Sequence, residues 1–169
     1  MKILETGRLE LRRLTPEDAS FILELLNDPL FLRFVGDKGV RTLDGARTYL
    51  ATGPIASYAQ HGFGLFLVSL KDGGTPIGMC GLLKRPVLAD VDIGFGFLAR
   101  YGGQGYATEA AAATLHYGRT VLGLKRIIAM TAPDNTASGH VLEKIGLRFE
   151  RMLAVPGYPT ESRLFTPAE

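Results

Sequence analysis

The run Ile93-Gly94-Phe95-Gly96-Phe97-Leu98-Ala99-Arg100-Tyr101-Gly102-Gly103-Gln104-Gly105-Tyr106-Ala107-Thr108-Glu109-Ala110 passes from a strand, through glycines, directly into a helix. Val91, Ile93, Phe95 and Phe97 alternate with Asp92, Gly94, Gly96 and Leu98, which is the period of a strand with two glycines on one side. From Gln104 to Gly118, Ala107 and Ala110 to Ala113 give high helix propensity with little bulk, so this helix can pack close to a sheet. Between the two, Gly102, Gly103 and Gly105 lack β-carbons. Successive N–H groups can converge there, and the new helix adds its own unpaired donors. Such a concavity fits a phosphate or pyrophosphate. Arg100 can add charge-assisted contacts or lie outside in a salt bridge. A tight strand-to-helix turn with no ligand is the plainer alternative. Neither the P-loop pattern nor the Gly-x-Gly-x-x-Gly dinucleotide fingerprint is present in this turn.

On the N-terminal side, residues 63–70 and 77–83 read as strands joined by the turn Lys71-Asp72-Gly73-Gly74, and residues 8–13 as a short strand with Leu9 and Leu11 on one side. Thr15, Pro16 and Asp18 form a capping box for a helix whose apolar face is Phe21, Ile22, Leu25 and Leu26, ended by Asn27-Asp28-Pro29. A second helix starts after Thr42, with Leu43, Ala46 and Leu50 on a face, and fails by Gly53-Pro54. The linker 31–41 between these helices is a candidate substrate loop. On the C-terminal side come a strand at 125–131, a helix carrying Val141, Leu142 and Ile145 and stopped by Gly146, and strands at 147–155 and 162–166. The expected fold is α/β (α+β): a mixed, mostly antiparallel sheet of six or seven strands flanked by helices, in one domain spanning residues 1–169.

Composition narrows the function. Nineteen basic against 17 acidic residues, a formal charge of +2, are too balanced to imply nucleic-acid binding. The single cysteine, Cys80, lies in an apolar run and reads as a buried structural thiol. His61, His116 and His140 are too scattered for a metal motif, and no metal is inferred. Neither a signal peptide nor a membrane span is legible, so the expected location is the cytoplasm.

Arg100-x-x-Gly103-x-Gly105-Tyr-Ala-x-Glu-Ala resembles the acyl-CoA-binding turn of the GNAT acetyltransferases. Asn135-x-x-Ser138-x-x-Val141-Leu-Glu-Lys-Ile-Gly146-Leu-Arg-Phe149 resembles that family's following asparagine turn, short helix and strand. With Leu9-x-Leu-Arg-x-Leu-x-Pro-Glu-Asp18, the likeness extends across nearly the full chain and is greatest to the ribosomal-protein alanine N-acetyltransferase branch. The resemblance implies acetyl-CoA as cosubstrate. Its pantetheine arm would run along a splayed strand at Phe95, Gly96, Phe97 and Leu98. Backbone groups of Gly103, Gln104, Gly105, Tyr106 and Ala107 would hold its pyrophosphate, with Arg100, Gly102, Thr108, Asn135 and Ser138 as further cofactor contacts. Many relatives carry tryptophan where this chain has Gly102, a change that removes packing but no N–H donor.

The implied reaction is direct transfer to a primary amine, driven by orientation and polarisation of the thioester, without a covalent enzyme intermediate. Ser138 is the candidate general acid, with a helix-start contact as its alternative, and Asp92 a candidate acceptor or relay for the amine proton. Tyr106 reads as packing. Phe31, Arg33, Phe34 and Tyr158 are candidate acceptor contacts. The acceptor is open between a peptide N-terminus and a small amine, and an acyl-CoA sensor without catalysis is the third class. A monomer or homodimer is expected, with no nucleic-acid or membrane partner.

Overall fold

The computed structural model describes residues 1–168. Eight strands form one sheet in the order β1-β2-β3-β4-β5-β6-β8-β7. They are β1 (Lys2–Glu5), β2 (Leu9–Arg13), β3 (Leu65–Leu70), β4 (Pro76–Leu83), β5 (Val91–Phe97), β6 (Ile127–Thr131), β7 (Leu147–Leu153) and β8 (Ser162–Pro167). Every neighbouring pair is antiparallel except β5 with β6. The sequence patterns expected six or seven strands. The eighth is β1, whose four residues, with only Ile3 and Leu4 partly buried, are too short to show a period.

Strand alternation sends side chains to two cores. Phe66, Cys80, Leu82 and Val91 pack on one face with Ala110, Ala111 and Leu115 of α5 (Tyr106–Thr120). Leu67 and Met79 pack on the other with Ile22, Leu25 and Leu26 of α1 (Ala19–Leu26) and with Ala46 and Leu50 of α3 (Leu43–Leu50). The slimness of α5 matters at Gly118, where a β-carbon would come within 2.8 Å of Ile127. The Cys80 thiol is fully buried, 3.3 Å from Thr114 Oγ1, and burial pushes its pKa up to about 12, consistent with a structural thiol.

Two stretches depart from expectation. Pro29 does not only end α1: it opens a second helix, α2 (Pro29–Phe34), capped by the Asp28 side chain on the Leu30 N–H at 3.1 Å. Phe31, Arg33 and Phe34 therefore sit on a helix, and the loop proper begins at Val35. Nor does α3 fail at Gly53-Pro54. A π turn (Ala51–Ile55) absorbs the proline and leads into α4 (Ala56–His61), which ends at Gly62. Leu43, expected on the buried face, is exposed at the start of α3. The last helix, α6 (Thr136–Lys144), stops before Gly146 as anticipated. Among the described residues no helix is long and apolar enough to cross a membrane.

Candidate functional site

The parallel pair at the middle of the sheet is held by only two register positions, Val91 with Ile127 and Asp92 with Ile128. Beyond Asp92, β5 continues to Phe97 bonded to β4 alone, while β6 turns to β8. The edge of β5 from Ile93 onward is thus open to a linear ligand that can add main-chain hydrogen bonds. Asp92 stands where the two strands part.

The turn after β5 completes this slot. Gly103 and Gly105 have φ of +75° and +81°, left-handed conformations that a β-carbon disfavours. No backbone N–H from Gly103 to Thr108 meets a backbone acceptor among the described residues; the N–H of Glu109, bonded to the Gly105 carbonyl at 3.0 Å, is the first of α5 to do so. Six consecutive donors thus remain for an anion at the positive end of a 15-residue helix. A β-carbon on Gly103 would project into open space, so the concavity is not filled by protein.

Arg100 does not face this turn in the structure. Its guanidinium pairs with Glu24 of α1 at 2.9 Å and lies over the Tyr101 ring. The arginine beside the turn is Arg8, stacked 4.4 Å over Tyr106, with Nη2 3.4 Å from where a Gly105 β-carbon would be. Sequence reasoning passed over it, although it immediately precedes the Leu9-x-Leu-Arg block. Leu98 is buried, and its N–H is committed to the Ile77 carbonyl at 2.9 Å. Phe97 packs against the α5 face.

Where β5 and β6 part lies a cavity of about 350 Å3, lined by Asp92 to Gly96 of β5 and Ala129 to Thr131 of β6. It gathers Phe31, Arg33, Phe34, Asp92, Phe95, Gly96, Asn135, Ser138 and Tyr158, drawn from α2, β5, α6 and the β7–β8 connection. The turn residues from Arg100 to Thr108 lie outside it. Gly96 leaves room for Phe31, whose ring would stand 3.0 Å from a β-carbon there. Asn135 caps α6 by accepting from the Ser138 N–H at 3.1 Å, and its side-chain amide donates to Ser138 Oγ at 2.9 Å. The Ser138 hydroxyl is thereby held as an acceptor, which leaves its own proton to donate into the cavity.

Asp92 is 2% exposed and receives Arg85 Nε at 3.0 Å; Arg85 in turn donates from Nη1 to the Tyr158 hydroxyl at 2.9 Å. Burial pushes the Asp92 carboxyl above the ordinary range, and Arg85 pulls it partly back. Arg85, Tyr49 and Lys38 also line the cavity. They come from a strand connection, a helix flank and a loop, so no local spacing announced them. Arg33 is exposed, 3.4 Å from Asp134 and stacked on Phe34.

Residues 8–148 match the family model of the acetyltransferase (GNAT) domain. The chain is 31% identical over 147 residues to YnaD of Bacillus subtilis, an uncharacterised N-acetyltransferase, covering 87% of this chain and 83% of that one. A GNAT-family acetyltransferase from Bacillus anthracis superposes with a TM-score of 0.79 at 29% identity, covering 98% and 96% of the two chains. The ribosomal-protein-S5-alanine acetyltransferase of Vibrio fischeri superposes with a TM-score of 0.73, covering 99% and 96%; at 19% identity that likeness is one of fold alone. The chain belongs to the GNAT family of acetyltransferases, enzymes that transfer an acetyl group from acetyl-CoA.

Proposed function

We propose that this protein acetylates a primary amine by direct transfer, with the acceptor, a peptide N-terminus or a small amine, entering the cavity between α2 and α6. The observation that carries this reading is the meeting of the six free N–H groups of Gly103 to Thr108 with the open edge of β5. The turn would hold the pyrophosphate and the β5 edge the pantetheine arm. Bound acetyl-CoA supplies an activated thioester. The amine nitrogen attacks the thioester carbonyl carbon, the carbon–sulfur bond breaks, and coenzyme A leaves as a thiolate. A strand N–H of β5 polarises the carbonyl oxygen. Asp92 takes the proton released by the amine, and Ser138 donates a hydrogen bond to sulfur as charge grows there. Protons balance when that passed to Asp92 is lost to solvent and the thiolate is released or protonated.

The test is a panel of amines and peptides incubated with acetyl-CoA, followed by free thiol release and the mass of the acceptor. Thiol release with a matching acetylated amine is the expected result. Thiol release without any acetylated amine would reduce the reading to hydrolysis.

A further inference from the structure

The cavity walls carry more positive than negative charge. Arg33, Lys38 and Arg85 line it, against Asp92 as its acidic residue among the described residues. Pairing removes most of this charge but not all. Arg85 is matched by Asp92 at 3.0 Å, and Arg33 by Asp134 at 3.4 Å. The acid next to Lys38 is already used: Asp37 accepts Arg41 Nη2 at 2.7 Å and the Gly39 N–H at 2.8 Å. Lys38 is left at the mouth with no ion pair among the described residues.

Its surroundings sharpen the point. Lys38 is solvent-exposed at the cavity rim, where partial loss of hydration, then the Arg85 charge, hold its ammonium below the ordinary lysine range. The Asp37 contacts brace the loop on both sides of Lys38, so the cation is presented by a built turn. An unmatched cation close to a second cation, in a partly enclosed site, favours an arriving anion.

We infer that the acceptor is a primary amine that also carries a carboxylate, read by Lys38 with Arg85 behind it. The inference rests on the acetyltransferase reading above. A second amine in the acceptor, as in a polyamine, would add another positive charge to a site that already has one in excess. The same field has a catalytic consequence. Cations nearby disfavour the acceptor's ammonium form and raise the fraction of neutral amine that can attack. The carboxylate has two sources, a free amino acid or an acidic residue near a peptide N-terminus, and both present the same chemistry to Lys38.

The experiment measures kcat/KM for L-amino acids, the matching amino acid amides, linear diamines, and tripeptides with aspartate or asparagine at the second position. Acids are expected to exceed amides, and aspartyl peptides their asparaginyl partners, by about tenfold, with diamines poorest. A preference confined to the amino acids or to the peptides names the source. In Lys38→Met the preference should collapse toward one, and Lys38→Arg should keep it, with acetyl-CoA affinity followed by calorimetry. Equal use of acids and amides, preference for diamines, a ratio unchanged in Lys38→Met, or a loss traced to acetyl-CoA affinity would each overturn the inference while the acetyltransferase reading stands. Transfer to no amine at all would overturn the reading beneath it.

Discussion

In the proposed mechanism Ser138 and Asp92 divide the proton chemistry, and the two roles can be separated by experiment. Ser138→Ala removes the one hydroxyl that Asn135 orients, with little change in volume, so kcat should fall about 10-fold to 100-fold while acetyl-CoA affinity changes less. The competing reading, a helix-start contact, predicts a loss of about 1 kcal/mol of stability and no loss of turnover at equal folded concentration. As the proposed base Asp92 would act through its ionised form, and burial sets its pKa above the usual carboxylate range. The rate should therefore rise with pH through that raised value. Asp92→Asn should lower kcat/KM about 100-fold and abolish this limb, leaving only the limb of the acceptor's own ammonium. A profile of unchanged shape in the asparagine variant would remove Asp92 from proton transfer. That Ser138 and Asp92 would fall near one another was legible because each sits on a patterned element. Lys38, Tyr49 and Arg85 were not, because a loop, a helix and a strand connection distant in sequence bring them together.

The turn into α5 owes its donors to conformation as much as to composition. At Gly103 an alanine would carry a β-carbon into the open space where an anion is expected, in a left-handed conformation that L-residues resist. Gly103→Ala should weaken acetyl-CoA binding roughly tenfold or more by calorimetry, with the circular dichroism of the fold preserved. Undiminished affinity in the folded variant would move the phosphate site elsewhere. This turn could be read from the chain because strand period, glycines and alanine-rich helix lie in sequence order, as do the β3–β4 hairpin and the α1 capping box. What escaped was whatever tertiary context decides. A proline that reads as a stop is absorbed by a π turn with Pro54 buried, and Pro29 starts a helix because Asp28 caps it. The parting of β5 from β6 was expected through the family resemblance alone, because neither strand's own pattern marks it. It follows from which neighbours each strand finds in the sheet.

Two ion pairs fasten helices to the N-terminal strands, and they tie the integrity of the whole molecule to pH. Asp18 receives a two-pronged contact from Arg12 at 2.7 and 3.0 Å and the Thr15 N–H at 2.8 Å, which fixes α1 against β2. Glu109 accepts from the Thr6 hydroxyl, the Arg8 N–H at 3.0 Å and Arg8 Nε at 2.8 Å, which fixes α5 and its turn against the β1–β2 hairpin. Burial alone would raise both carboxyls, but these hydrogen bonds and charges outweigh it and hold both below their ordinary values. A carboxyl lowered by folding contributes stability that is fully present above its unfolded pKa, about 4, and is lost as pH falls through the folded value. Asp18→Asn should therefore cost about 1–3 kcal/mol at pH 7 by urea unfolding, since it breaks a part-buried charged contact of Arg12. The gap between parent and variant should narrow below about pH 4 and close once the pH has fallen through the lowered folded value, where the parent's carboxyl is protonated as well. The amide keeps the shape of the carboxylate but not its charge. A gap that persisted undiminished in acid would assign the loss to packing or hydrogen-bond geometry, and the fastening of α1 would then not be electrostatic.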